Sequence, residues 1–208
     1  MIFNFSKKSQ FTTKLNVLNT DIDMVKETTL LGTIITDQLN WDRNTEELTK
    51  KGYKRMQLLN AVSTFTKNRT DLKNIYLTFI RSVVEQSAVV WHSSLTVRNR
   101  KDIERIQKVC IKIILGSEYT TYSDALDKVG LQTLHDRREK RCLDFAKKCL
   151  NHPVHKNLFP LNNIKPTVNA SIRHREPFIV NFARTESYKR SAIPFCQRIL
   201  NTNYKKSN

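Results

Sequence analysis

The sequence predicts a mainly α fold with a small N-terminal antiparallel β-sheet, α+β overall, and three observations carry that expectation. Glycine and proline are scarce, at four and five among 208 residues, whereas turn-rich all-β folds need more of both. The first forty residues are rich in β-branched side chains and partly alternate. From Trp41 onward the apolar residues recur at the helical period. Hydrophobic residues make up 39 % of the chain, enough for a core and too many for a wholly disordered polypeptide.

Taken in order, residues 11–18 alternate from Thr13 onward, Asn19-Thr20-Asp21 is turn chemistry, and Ile22–Lys26 alternates less cleanly. Leu30–Thr36 is a compact apolar run. Together they read as a hairpin plus a third strand, a sheet that needs something to pack on. Asn44 is the expected cap of a first helix, with Glu47 as its capping-box partner. Leu48, Met56, Leu59 and Val62 fall on one side of that helix, with Leu58 and Phe65 beside them. A second helix is expected from Thr70 as cap, with Leu72, Ile75, Tyr76, Phe79, Ile80, Val83 and Val84 on one wide apolar face, running on toward Val90 and Trp91. A third starts near Asn99 and closes at Gly116, which suits the left-handed position beyond a helix end. Thr121, with Asp124 three residues on, opens a fourth that Gly130 ends. Thr133, with Asp136, opens a fifth that runs to about Leu150 and is stopped by Pro153. Residues 151–186 form a basic, irregular connector. Ser191-Ala192-Ile193-Pro194 starts a last helix ending near Leu200. No internal repeat or low-complexity tract interrupts this order.

Charge points to the partner. Lys and Arg number 36 against 19 Asp and Glu, a net charge of +17. Such a surface attracts polyanions, because each neutralised phosphate releases counterions. RNA or DNA is the expected partner, with an anionic membrane as competitor and a merely solvated basic face as the plain alternative. No apolar run approaches the ~20 residues needed to span a bilayer, and the first residues lack the layout of a secretory signal; with nucleic acid preferred over a membrane surface, no membrane partner is expected. Cys110, Cys142, Cys149 and Cys196 are scattered through amphipathic segments and read as reduced core residues of an intracellular protein.

Chemistry-bearing motifs are few. There is no G-x-S-x-G, no phosphate-cradling glycine loop and no H-E-x-x-H. Asp21-Ile22-Asp23 invites comparison with metal-holding carboxylate pairs, but it follows a turn at the start of a short strand and no other carboxylate cluster is obvious to complete a site, so a hairpin reading is preferred. Cys149-x2-His152-x2-His155 resembles part of a zinc box with three of the four ligands; a helix end with ordinary histidines is the plainer reading. No metal site is expected on this chain. Arg137, Arg138 and Arg141 share one side of the fifth helix, where a phosphate clamp and pairing with Asp136, Glu139 or Asp144 are equally open. Trp41 and Trp91 read as core anchors rather than base-stacking platforms.

Five segments, in order, carry a resemblance. Leu30–Trp41 is similar to the "LGV-x-I-x-x-x-L-x-W" stretch that follows the polymerase palm in non-LTR (LINE-like) retrotransposon reverse transcriptases, with Thr33 where that family often has valine. Ile75–Trp91 resembles "Y-x-x-x-I-R-x-x-x-E-x-x-x-x-x-W". Ile103–Lys108 resembles "L-E-R-V-Q-K/R", Leu131–Arg138 resembles "L-x-x-L-x-x-R-R", and Ser191–Pro194 with Leu200-Asn201 resembles the "S-A-I-P…L-N" ending. The resemblance spans about residues 10–201.

It implies a palm remnant over 1–40, a helical thumb-like bundle over 41–150, and a basic connector with a C-terminal helix over 151–208. The family's catalytic Tyr-x-Asp-Asp motif is absent from these residues, so the resemblance implies a truncated product, fragment or relic that supports template–primer binding without catalysis. No cofactor is expected; Mg²⁺ would belong to the palm site. The expected partner is an RNA or DNA template–primer duplex, with an intact element-encoded polymerase as a second expectation. Alternatives are a repurposed nucleic-acid-binding module without sequence preference, or a helical protein–protein adaptor. The expected contacts are Lys50, Lys51, Lys54 and Arg55 on the first helix, Arg105, Lys108 and Lys112 on the third, and Arg137, Arg138 and Arg141 on the fifth. They would touch the phosphate backbone and read no sequence.

Overall fold

The computed structural model describes residues 15–162 and 176–207, and two β-hairpins open the described part. Residues 11–14 of the expected first strand and residues 163–175 of the expected connector lie outside that range. The remainder is mainly helical, as the composition predicts. β1 (Leu15–Val17) pairs antiparallel with β2 (Thr20–Ile22), Val17 opposite Thr20. β3 (Glu27–Leu30) pairs antiparallel with β4 (Thr33–Thr36), Leu30 opposite Thr33. Each turn has two residues at positive φ: Leu18 and Asn19 at 51° and 61°, Leu31 and Gly32 at 49° and 78°. That is the mirror-image turn whose twist matches its flanking strands. The expected third strand over 30–36 is thereby corrected to a second hairpin, since Gly32 permits a left-handed turn inside the apolar run. Gln86 Nε2 donates to Leu31 O at 3.0 Å and seats this turn.

Helix α1 (Asp42–Phe65) begins after Trp41, which makes no side-chain cap. Asn44, the expected cap, is buried inside the helix, and its Oδ1 accepts the Ile34 N–H at 3.1 Å. The strand's open N–H takes the carbonyl that the helix end would have used. α2 (Arg69–Ile75) is capped by Asn68, whose Oδ1 accepts the Thr70 N–H at 3.0 Å, so Thr70 lies within the helix instead of before it.

The expected unbroken run to Trp91 is interrupted. Tyr76–Arg81 is π-helical and is followed by α3 (Ser82–Val84). The chain then breaks at Ser87, which is left-handed at φ 52°, before α4 (Ala88–Trp91). Tyr76, Ile80 and Val84 are fully buried, while Phe79 is 39 % exposed. The wider π turn changes the angle between successive side chains, and Phe79 leaves the apolar face assigned to it.

The later elements follow their caps. α5 (Val97–Leu115) ends at Gly116, at φ 56°. α6 (Tyr122–Val129) starts after Thr121, whose Oγ1 donates to Asp124 Oδ2 at 2.8 Å and accepts the Asp124 N–H at 3.3 Å; Gly130 ends it at φ 65°. α7 (Leu134–Leu150) is capped by Thr133, which accepts the Asp136 N–H at 3.1 Å. A short α8 (Glu186–Arg190) precedes α9 (Ala192–Ser207), which runs past its expected end at Leu200.

The chain divides into two compact units. The first contains the residues up to Gln86 together with Val97–Ala125; the second contains Ser87–Thr96 and the residues from Leu126 on. In the first, Leu48, Leu59, Leu72, Ile80, Ile103, Ile106 and Cys110 are buried. Gly52 lets α1 approach closely: a Cβ there would meet Ile106 Cδ1 at 2.8 Å and Val84 Cγ1 at 2.9 Å. A buried polar relay crosses the same unit, with Tyr76 Oη donating to Gln107 Oε1 and Gln107 Nε2 donating to Tyr122 Oη at 2.9 Å. The core of the second unit gathers Cys142, Ala146, Cys149, Phe159, Cys196 and Leu200. Two buried amides one turn apart on α9 clip neighbouring chain onto it. Gln197 binds Asn181 N and Leu158 O, each at 2.8 Å, and Asn201 binds Phe178 N at 3.0 Å and Phe178 O at 2.9 Å.

Candidate nucleic-acid interface

Helix α5 separates its side chains sharply. Ile103, Ile106, Gln107, Cys110, Ile111 and Ile114 are buried on one face. Arg98, Lys101, Arg105, Lys108 and Lys112 are all exposed. Their steps of three, four, three and four residues keep them on one stripe, about 21 Å long at the helical rise. Arg98 is held loosely by Asp102 at 3.8 Å, and the Lys112 ammonium lies 5.0 Å from the centre of the Tyr119 ring. Arg105, Lys108 and Lys112 thus share the face expected of them. Arg98 and Lys101 extend it, Arg98 because α5 begins at Val97, ahead of the expected start near Asn99. The step pattern itself was readable in the sequence.

On α1, Lys50, Lys51 and Lys54 are exposed and Arg55 is half-buried. Lys51 faces Glu47 at 3.5 Å. Arg55 is turned toward the π segment: its Nη1 donates to Phe79 O at 2.6 Å, and its guanidinium carbon lies 4.5 Å from the Phe79 ring centre. Lys51, Lys54, Arg55, Leu58 and Phe79 line a shallow open groove. The sequence pattern puts Phe79 on the apolar face, and the structure exposes it; the excess of apolar residues on that face is the sequence sign that one is displaced.

The arginines of α7 separate. Arg141 is exposed and Arg137 half-buried, but Arg138 is completely buried. Its Nε donates to His92 Nδ1 at 3.2 Å and its guanidinium lies 5.8 Å from the Trp91 ring. Arg138 is therefore corrected from a phosphate contact to an interior residue of the second unit, since a buried fork on an aromatic ring has no path to a phosphate. Trp41 and Trp91 are both buried, in keeping with core anchoring.

The zinc-box residues are not assembled. Cys149 is buried, while His152 and His155 are exposed, stacked at 4.2 Å, with His152 Nδ1 accepting the N–H groups of Val154 and His155. Among the described residues, the ligand atoms of His135, Asp136 and Glu139 do lie within 4.8 Å of one another. Asp136 and Glu139 share their groove with Lys140, Arg198 and Lys206, which offset the carboxylate charge. Asp21 lies in β2 and accepts from Asn16 Nδ2 at 3.0 Å, consistent with the hairpin reading. Among the described residues, no helix is long and apolar enough to cross a membrane.

Comparison of the chain with protein-family models, with curated proteins and with solved structures finds no match.

Proposed function

We propose that this chain binds the phosphate backbone of nucleic acid through the basic faces of α5 and α1, as the template–primer-supporting part of a reverse-transcriptase-like polypeptide. The observation that carries the binding reading is the α5 stripe. Five exposed cations in register stand opposite a buried, mainly apolar face, on a chain with a net charge of +17. Among the described residues, Arg98 of these five forms an ion pair, with Asp102, and that pair is open to solvent; an exposed pair of this kind competes weakly with phosphate. The ordered sequence resemblance supports the polymerase context. The Tyr-x-Asp-Asp motif is not in the sequence, so the proposed role is binding and not nucleotidyl transfer.

The test is binding of the full chain to a blunt DNA duplex of mixed sequence across a salt series. The expected result is a linear fall of log K with log salt, with a slope of about −0.9 for each phosphate contacted. Binding that is weak and independent of salt would sink the proposal. It would favour a protein–protein role for the helices.

A further inference from the structure

We infer that the groove formed by Lys51, Lys54, Arg55, Leu58 and Phe79 takes an unpaired nucleic-acid strand, with a base stacked against the Arg55–Phe79 pair and phosphates held by Lys51 and Lys54. This rests on the nucleic-acid reading above and assigns one of its surfaces to single strands. Duplex phosphates need only charge, and α5 provides it. The α1 groove adds something a duplex does not use. Phe79 is 39 % exposed and Leu58 47 % exposed, side by side among three cations. The Arg55 guanidinium lies 4.5 Å from the Phe79 ring centre and is fixed there by its bond to Phe79 O at 2.6 Å. An arginine plane anchored on an aromatic ring is a ready stacking surface for a base, and paired bases keep their faces inside the helix.

A second ring extends the surface. Phe65 follows Leu58 by seven residues on α1, so it returns to the same side of the helix about 10.5 Å further along. Phe65 is 90 % exposed. A basic groove with aromatic side chains along it is the arrangement that holds single strands without sequence preference. The Glu47–Lys51 pair at 3.5 Å is solvent-exposed on both sides, so the ammonium can exchange its carboxylate for phosphate.

The experiment uses the full chain, fluorescent oligothymidylate as the single strand and a blunt mixed-sequence duplex, with the variants Phe79→Leu and Phe65→Ala. Phe65 is exposed enough that its removal leaves the fold intact, which circular dichroism checks. Each variant should lower single-strand affinity by about fivefold or more, the scale of losing one base stack. Duplex affinity and the duplex salt slope should not change. The inference is overturned if neither variant changes single-strand affinity, if both substrates weaken together, or if polyglutamate of matched charge displaces oligothymidylate as well as unlabelled strand does. Duplex binding with indifferent variants removes this inference alone. Absence of binding to either substrate removes the nucleic-acid reading with it.

Discussion

Arg138 donates its Nε–H to His92 Nδ1 at 3.2 Å, and both residues are buried in the second unit. Since arginine only donates, His92 accepts through Nδ1 and carries its proton on Nε2. The guanidinium also lies over Trp91, so the side chain is a packing element as much as a charge. Replacing Arg138 by alanine removes the hydrogen bond and the stacked plane together and opens a cavity. The expected cost is on the order of 3 kcal/mol, measured by urea unfolding. A loss below about 0.5 kcal/mol, the scale of ordinary surface substitutions, would show that the burial does not matter energetically.

Gly52 has a sharper prediction. A methyl group there would lie 2.8 Å from Ile106 Cδ1 and 2.9 Å from Val84 Cγ1, so Gly52→Ala must push apart packed core groups. Alanine also has the better helix propensity, by about 1 kcal/mol. Overpacking costs about 1–3 kcal/mol, so the net effect should be destabilising and visible as a lower urea midpoint. A more stable Gly52→Ala variant would show that the close approach of α1 is wrong.

Alkaline pH should unfold the first unit early. Burial raises the Cys110 thiol from its ordinary 9.0 to about 12, and burial is also the main reason Tyr76 lies well above its ordinary 10.0. Both groups are neutral when protonated, so the folded state holds their protons longer than the unfolded state does. Stability is intact below the unfolded value and is lost as pH rises through the folded one. For Cys110 the window runs from about 9 to 12, with a loss of about 1.4 kcal/mol per pH unit per group inside it. Cys110→Ala should unfold less steeply than the parent between those limits. Identical pH dependence of the two proteins would exclude Cys110 as a contributor.

Much of the helical part was legible because its signals are local. Thr121 with Asp124, Thr133 with Asp136, and the glycines at 116 and 130 mark ends through one or two nearby bonds or a single left-handed φ. What stayed hidden depends on groups distant in the chain. Asn44 looks like a cap until the N–H of Ile34 competes for it. Leu31 looks like a strand residue and sits at φ 49° beside Gly32. Phe79 looks like core until the π turn moves it toward Arg55. Arg138 looks like its exposed neighbour Arg141, and only the packing of α7 against the Trp91–His92 segment separates them. The basic stripe of α5 was legible for the opposite reason, since a three-four repeat is a property of the helix alone.

Primer extension should be absent. The carboxylate motif that holds metal in the resembled polymerases does not occur in these 208 residues. Purified chain with primer–template, Mg²⁺ and all four deoxynucleotides is expected to give no product above a mock preparation. Extension that survives removal of contaminating polymerase would contradict the binding-only role.

The two basic helices should contribute separately to duplex affinity. Neutralising Lys50, Lys51, Lys54 and Arg55 to glutamine on α1 removes three exposed cations and one, Arg55, that is already engaged by Phe79. Neutralising Arg98, Lys101, Arg105, Lys108 and Lys112 on α5 removes five exposed cations from one stripe. Backbone contacts are lost for every sequence alike, and each lost contact flattens the slope of log K against log salt by about one unit. The α5 variant should therefore show the larger drop in affinity and the flatter slope on duplex DNA. Circular dichroism should be unchanged in the α5 variant, because all five α5 cations lie off the buried face; it is measured for the α1 variant as well, since Arg55 is half-buried and bonded to Phe79 O. Equal, small effects from both sets would move duplex binding elsewhere, with Arg137 and Arg141 on α7 the next to neutralise. Arg138 would stay in place throughout, since its removal perturbs the second unit and would be mistaken for a lost contact.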